Sequence, residues 1–303
     1  MEVNLNTELH FSIFIKEFNT STINKEIHLR MTKTYVLDSI GHIVKIATTL
    51  SGSWFRGHAR VQKELVPKLL REKYVVDYAN RELSLIEAFK RVAPALDSNV
   101  PGQDDSIAWL FLMQHHGVST RLLDWTKSAL IALYFIVIDH ETEDGELWAM
   151  YPYSLNKLSG IGMPLRNNSI LNYYVEEPLE DPKMLQSLYN LPQIPDKPIA
   201  IEPQMNFPRI MAQLSKFTIH PISNQAKLIS TLLTDRKDLV RYIVPSESKS
   251  KLRSDLATLG ITHTALFPSL DALGRDIIYD HRVVAYSPPN PPKCKGPWVK
   301  PTQ

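Results

Sequence analysis

The chain has 303 residues, of which 44% are hydrophobic and 22% are charged, and its formal net charge is +2. This composition is ordinary for a globular protein, and the small charge does not by itself call for a nucleic-acid partner. Cysteine occurs once, at Cys294, which excludes a disulfide framework and a CxxC metal pair. The N-terminus lacks the apolar core of a signal peptide, and the longest apolar run, residues 129–138, is too short to cross a bilayer. We therefore expect a soluble, cytoplasmic protein.

The N-terminal third predicts two helices on either side of a strand. Residues 39–49 have the apolar spacing of a short helix, and SWFRG at 53–57 reads as a strand that ends at its glycine. Further on, Leu83, Ile86 and Phe89 recur at helical spacing with charged residues on the other face. These three side chains predict the buried face of an amphipathic helix.

The middle of the chain predicts the core. The segments 104–113 and 129–138 are rich in apolar residues and read as two buried helices. The second of them can be capped by Asp124, Thr126 or Ser128. Both helices therefore border the polar stretch that lies between them.

The second half of the chain predicts a mixture of strands and helices. Residues 152–208 lack sustained periodicity and predict loops with short helices lying over the core. The other predicted elements are a strand after the Asp-Gly turn at 144–145, strands at 217–220 and 241–245, and helices at 246–260 and 269–278. We expect one α+β domain at 38–283, an N-terminal extension at 1–37 that is an edge hairpin or has no chemical role, and a flexible Pro- and Lys-rich tail at 284–303.

Two candidate sites lie at the ends of predicted elements. Arg56, at the end of an apolar strand, can present its planar fork to a phosphate or carboxylate, and Gly57 lets a ligand or another backbone come close. The amide of Gln213 can both donate to and accept from a ribose or a base. The alternative for each is an ordinary surface residue.

The polar stretch between the two apolar helices holds the other candidates. His116 with the nearby Asp124 could serve in acid–base chemistry, while Ser119 and Thr120 could bind a polar ligand. Two adjacent histidines cannot both face one metal from a helix, so no metal is expected. The alternative is structural, with Asp124 capping the next helix and pairing with Arg121. A GxSxG elbow, a P-loop and GxGxxG are all absent from the sequence, so the usual hydrolase, NTPase and Rossmann signatures give no support.

Taken together, these segments resemble the FRG domain, a family found mostly in bacteria and phages and named for Phe-Arg-Gly, which stands here at Phe55-Arg56-Gly57. The resemblance continues in IAWLFLMQHHGVSTRLLDWTKSALIALYF at 107–135, in FPRIMAQLSKFTIHP and in ITHTALFPSLDAL. It covers about residues 38–280.

The order of these blocks is also similar to that of ADP-ribosyltransferases of the Arg–Ser–Glu type. This similarity implies a mixed or split β-sheet core with surrounding helices, and NAD as a substrate. It implies that Arg56, followed by Gly57, binds the NAD phosphates, that Ser119 and Thr120 frame the nicotinamide pocket, and that Gln213 opens the last motif. These roles would make Arg56 and Gln213 two walls of the same cleft.

The chain departs from that type at two positions. Arg121 stands where the second serine of the pocket strand is expected, and we group it with the cofactor-binding candidates. Ser215 stands where the catalytic glutamate is expected, so that Asp124, Glu202 or a histidine such as His116 would have to supply the missing group.

The leading hypothesis is an NAD-dependent ADP-ribosyltransferase of the toxin or phage-defence kind. Its acceptor would be a nucleic acid, with RNA favoured, or a protein, and an antitoxin protein is a candidate partner; no membrane partner is expected. The alternatives are a nuclease-like toxin using His116 and Asp124, and a non-catalytic sensor or binding module. The hypothesis of an enzyme requires Arg56, residues 119–124 and Gln213 to line one cleft.

Overall fold

The computed structural model describes residues 35–61, 64–72, 75, 77–166, 196–204, 207–222 and 228–283. Residues 1–34 of the predicted N-terminal extension and the C-terminal tail lie outside these residues, as does most of the segment predicted to form loops at 152–208. Among the helices that the structure describes, none has the length and hydrophobicity needed to span a bilayer.

Seven strands and ten α-helices make up the described part of the chain. The strands are β1 (Tyr35–Val36), β2 (Trp54–His58), β3 (Leu122–Thr126), β4 (Gly145–Met150), β5 (Ile199–Ile201), β6 (Ser215–Ile219) and β7 (Leu239–Val244). The helices are α1 (Ile40–Thr49), α2 (Tyr78–Leu96), α3 (Ser106–His115), α4 (Ala129–Val137), α5 (Pro152–Lys157), α6 (Pro208–Ala212), α7 (Ile229–Leu232), α8 (Ser246–Thr258), α9 (His263–Leu266) and α10 (Leu270–Val283). The predicted α+β class is confirmed, whereas the strand β5 falls where only loops and short helices were predicted.

The strands form one mixed sheet that is almost divided in two. Its order is β1-β7-β4-β2-β3-β6-β5, with β1 and β7 parallel and the other neighbours antiparallel. β2 pairs with β4 along five residues and β3 pairs with β6 along five, but β2 and β3 meet only at Phe55 and Thr126. Beyond that single pair the two halves of the sheet separate and leave a gap between β2 and β3.

Helix α4 packs on the sheet and is the most deeply buried helix near this gap. Seven of its nine residues are buried, and its N-cap is Ser128, whose hydroxyl accepts from the backbone N–H of Ile131. The structural alternative for Asp124 was therefore wrong, because this residue lies inside β3 and does not cap α4.

Helix α2 packs two of its three predicted core residues, Ile86 and Phe89, against the core, but the third prediction was wrong. Ile86 is buried, but Leu83 is 40% exposed and the carboxylate of Glu82 points inward instead. Arg121 Nε donates to Glu82 Oε2 over 2.6 Å, and the backbone N–H of Arg121 donates to Glu82 Oε1. Burying an ion pair of this kind costs desolvation, but a backbone donor completes its hydrogen bonds here. The hydrophobic spacing predicted Leu83 on the buried face because it does not register a charged residue that is buried.

Replacing Gly57 with alanine should destabilise the fold strongly. A Cβ at Gly57 would lie 2.0 Å from the carbonyl oxygen of Ala132, so β2 and α4 could not keep their separation. We expect a loss of about 3 kcal/mol or more in the free energy of unfolding, measured by urea denaturation. The matched control is Gly41→Ala in α1, where a Cβ meets nothing within 4 Å and should stabilise by about 0.5–1 kcal/mol. An equal response of the two variants would contradict this account.

Candidate functional site

A cavity of about 300 Å³ lies where β2 and β3 separate. Both strands line it, together with α4 and the segment from α6 to the start of β6. The polar side chains that face it are Arg56, His58, Gln114, Asp124, Thr126, Arg209, Gln213 and Ser215. The gap in the sheet therefore gathers residues that are more than 150 positions apart in the sequence.

The side chain of Arg56 links β2 to β3 beyond the single residue pair that joins the two strands. Its Nη1 donates to the backbone oxygen of Asp124 over 2.6 Å and lies 3.6 Å from the Oδ2 atom of the same residue. Its Nε donates to Nε2 of His58 over 2.8 Å. Of the five N–H groups of the guanidinium, the two on Nη2 have no partner among the described residues and remain for a ligand in the cavity.

Three further residues support Arg56 through a chain of hydrogen bonds that begins at His58. His58 Nδ1 lies 2.8 Å from Oε1 of Glu146, and Arg241 Nε donates to Oε2 of the same carboxylate over 2.7 Å. Glu146 is completely buried, and each of its oxygens accepts one of these bonds. Arg56, His58, Glu146 and Arg241 thus form a continuous chain of charged and polar groups across β2, β4 and β7.

Asp124 is held from the other side of the cavity. Gln114 Nε2 donates to its Oδ2 atom over 2.7 Å, and Thr120 Oγ1 donates to Oε1 of Gln114 over 2.6 Å. The side chain of Asp124 is still 52% exposed, so its carboxylate remains accessible to a ligand. Helix α3 therefore positions the carboxylate through its penultimate residue.

The far wall of the cavity is built by α6 and the residue after it. Arg209 Nη1 donates to the backbone oxygen of His115 over 2.6 Å, and its guanidinium lies over the ring of Phe267 at 4.4 Å. Gln213 Nε2 donates to the backbone oxygen of Leu266 over 3.1 Å. This leaves the amide oxygen of Gln213 without a hydrogen-bond partner among the described residues.

Cations dominate the electrostatics of the cavity. Arg56, Arg71 and Arg209 all interact with the carboxylate of Asp124, and burial lowers the pKa of each guanidinium from its usual value. A guanidinium stays protonated at neutral pH even after such a shift. The three positive charges around one carboxylate favour an anionic ligand.

Stability should fall as the pH is lowered from about 6.5 toward 4. Burial and the neighbouring Arg56 lower the pKa of His58 to about 4 and that of His220 to about 3. The unfolded chain takes up these protons at about pH 6.5, before the folded protein does, so acid favours unfolding throughout this window. His58 alone should contribute about 3 kcal/mol, measured by urea denaturation as a function of pH. His58→Gln should reduce the slope, and an unchanged slope would contradict the assignment.

The structure brings together some of the predicted site residues. Arg56, Gly57, Asp124 and Gln213 all line the cavity, as the hypothesis of a shared cleft requires. Gly57 also lets the backbone of α4 come close to β2, as one of the two predicted alternatives requires, and its contact with a ligand stays a prediction. Their chemical roles stay predictions.

Other predicted site residues lie elsewhere. His116 is exposed and lines a separate apolar cavity between α2 and α3, so it does not share a site with Asp124. Ser119 and Thr120 are buried in the loop before β3, and Thr120 contributes only indirectly, by holding Gln114. Arg121 is buried against Glu82 and cannot bind a cofactor in the cavity.

Glu202, one of the groups considered as a substitute for the missing glutamate, also lies outside the cavity lining. It pairs with Arg166 over 2.9 Å and with Lys216 over 3.4 Å. Attraction to these cations outweighs burial and lowers the pKa of its carboxyl. Glu202 is therefore an ionised partner of two basic side chains, and the carboxylate that faces the cavity is Asp124.

Three residues of the cavity were not predicted from the sequence: His58, Gln114 and Arg209. His58 could have been found, because positions two apart in a strand share a face and His58 follows Arg56 by two. Gln114 immediately precedes the histidine pair, and His116 of that pair was predicted as the site residue instead. Arg209 carries no local signal, because only the packing of α6 against α3 and α9 brings it to the cavity.

The fold and the cavity define an α+β domain with a cationic cleft between the two halves of its sheet. Residues 51–145 match the family model of the FRG domain, and this match supports the predicted resemblance. The matched segment runs from the turn before β2 to the start of β4 and contains Arg56, Gln114 and Asp124. No curated protein and no solved structure matches the chain.

Proposed function

We propose that the cavity binds a phosphate-bearing nucleotide and that the chain is an NAD-dependent ADP-ribosyltransferase. One observation carries the proposal: among the described residues the two Nη2 hydrogens of Arg56 have no partner, and they lie in a gap of the sheet beside the accessible carboxylate of Asp124. Gln213 adds an amide oxygen from the opposite wall. An ADP-ribosyltransferase-like split core, the role of toxin or phage-defence protein, an acceptor of RNA, DNA or protein, and an antitoxin partner belong to the same proposal.

The residues of the cavity suit both the binding of the NAD diphosphate and the chemistry at the ribose. A guanidinium binds phosphate oxygens through two parallel hydrogen bonds, so Arg56 would hold the diphosphate. The volume of about 300 Å³ is at the lower end for small-molecule sites, which suits one half of a dinucleotide. The polar groups of Asp124 and Gln213 would then face the ribose.

The proposed transfer breaks the bond between the ribose C1′ and the nicotinamide nitrogen. Nicotinamide leaves as a neutral molecule with the bonding electron pair, and positive charge develops on the ribose. The carboxylate of Asp124 would stabilise this charge. A nucleophilic atom of the acceptor then bonds to C1′ and gives its proton to a base, for which Asp124 is the carboxylate within the cavity.

Incubation with NAD labelled in its adenylate phosphate tests the proposal. The protein should transfer label to RNA, DNA or protein from a bacterial extract, each supplied separately, and release free nicotinamide in equal amount. The label should resist extraction with excess unlabelled NAD, which separates covalent transfer from binding. An absence of label on all three acceptors, with no release of nicotinamide, would refute the enzymatic proposal.

A non-catalytic binding module is the second candidate, and one observation favours it. Among the described residues that line the cavity, Asp124 is the one carboxylate, and Gln114 and Arg56 already contact it. In that case NAD or a related nucleotide should bind without turnover. The pairing of His116 with Asp124 that a nuclease would need has no comparable support, because the two residues face different cavities.

A further inference from the structure

His58 has both ring nitrogens committed. The ring is 6% exposed, its Nδ1 lies 2.8 Å from Glu146, and its Nε2 accepts the Nε–H of Arg56. Since a carboxylate can only accept, Nδ1 carries the proton and Nε2 offers its lone pair to the guanidinium. The carboxylate thereby selects the tautomer that can accept from Arg56.

The sheet itself fixes this arrangement. His58 and Glu146 are direct partners across β2 and β4, and Trp148 and Arg241 are direct partners across β4 and β7. Glu146 is completely buried and is held on its second oxygen by Arg241. Three neighbouring strands therefore set the position of the histidine, and the packed sheet leaves it little freedom to turn.

The position of His58 restricts the orientation of the Arg56 guanidinium. With Nε bound to His58, and Nη1 bound to the carbonyl of Asp124 and 3.6 Å from its carboxylate, the donors without a partner among the described residues are the two hydrogens on Nη2. Without the histidine, Arg56 would keep only its contacts with Asp124, would rotate more freely and would lose more conformational entropy on binding an anion. Because His58 and Asp124 fix the guanidinium before a ligand binds, this entropy cost is reduced, and the Nη edge is the one that can contact the ligand.

We infer that His58, supported by Glu146 and Arg241, is a positioning residue that presents the Nη edge of Arg56 to a phosphoryl group in the cavity. The identity of the ligand rests on the proposed function, whereas the fixed orientation of Arg56 does not. This positioning is distinct from catalysis, because His58 has no free nitrogen with which to contact a substrate.

Two substitutions separate the roles of the two ring nitrogens. His58→Asn keeps a donor near the position of Nδ1 but removes the acceptor for Arg56, whereas His58→Gln keeps an acceptor near the position of Nε2. Binding of inorganic pyrophosphate and of NAD to the full chain is measured by calorimetry. We expect about 10-fold weaker binding for His58→Asn and binding within about 3-fold of the unmodified protein for His58→Gln.

A second measurement tests the orientation without any ligand. The Arg56 Nε–H should give a proton–nitrogen NMR signal that exchanges slowly in the unmodified protein and in His58→Gln, and is lost in His58→Asn. Glu82→Gln is the control for simple destabilisation, because Glu82 is buried outside the cavity and its loss should leave both readouts unchanged.

The outcomes distinguish this inference from the proposed function. Equal pyrophosphate affinity and an unchanged Nε–H signal in His58→Asn would overturn the inference, even if NAD is a substrate. Binding of pyrophosphate that depends on His58, without any binding or turnover of NAD, would support the inference and refute the proposed function. If pyrophosphate does not bind, the NMR signal decides: its loss only in His58→Asn supports the positioning, and its persistence overturns it.

Discussion

Arg56→Gln should lower the affinity for NAD and for pyrophosphate by about 100-fold or more, because charged hydrogen bonds to a phosphate are worth about 1.5–3 kcal/mol each. The guanidinium is mostly buried, with 15% of its side chain exposed, so water screens it little. Its removal also leaves Nε2 of His58 and the carbonyl of Asp124 without their donor. Calorimetric titration of the folded variant with each ligand gives the measurement.

Lysine should not restore the site. A lysine ammonium can supply charge but cannot donate to His58 and to the Asp124 carbonyl while presenting a planar fork to a phosphate. We expect Arg56→Lys to bind about 10-fold more weakly than the unmodified protein. Arg60→Gln, which removes an exposed charge four residues away, is the matched control and should change affinity less than about 2-fold. Comparable losses in Arg60→Gln and Arg56→Gln would show that net charge, and not the geometry of the fork, governs binding.

Asp124→Asn should move binding and transfer in opposite directions. Without the carboxylate, the three neighbouring arginines lose one shared counter-charge, so we expect pyrophosphate to bind about 3-fold or more tightly. Transfer of ADP-ribose should fall by about 100-fold or more, since the developing charge on the ribose loses its partner. Parallel calorimetry and label-transfer assays measure the two effects.

This pair of effects distinguishes an enzyme from a binding module. A binding module would show tighter binding and no transfer in either protein. Asp255→Asn, which removes a carboxylate paired with Lys251 on the surface of α8, is the control and should alter neither quantity. Full transfer activity in Asp124→Asn would exclude this residue from catalysis and leave the catalytic carboxylate unassigned.

The helices and strands of the core were largely predictable because their signals are local. The caps at Ser39 and Ser269 lie where the sequence predicted a helix to begin. In α2 the prediction for Leu83 was wrong because Glu82 is buried in its place, and Glu82 is paired with Arg121, which is distant in sequence, so neither residue by itself shows that it is buried. Strand β5 was missed because three apolar residues between loops, Ile199–Ile201, give too little periodicity to separate a strand from a loop.

The candidate site was only partly predictable, for a related reason. Arg56 was predicted at the end of a strand, but β2 continues to His58 and Arg56 lies within it; Asp124, predicted beside a core helix, lies within β3. The histidine pair was misleading, because α3 ends there and turns the ring of His116 toward α2, away from the cavity. Gln114, one residue before that pair, is the side chain that the helix directs to Asp124.

By itself the sequence determined the α+β class, the buried helices that flank the polar stretch, and the candidacy of Arg56, Asp124 and Gln213. The tertiary structure alone decided that these three residues share one cavity, since that depends on where β2 and β3 stop pairing. It also decided which polar residues support Arg56, because His58, Glu146 and Arg241 meet only through the register of three strands. Local patterns specify elements, whereas a gap in a sheet and a chain of buried charges arise from contacts between residues far apart in the sequence.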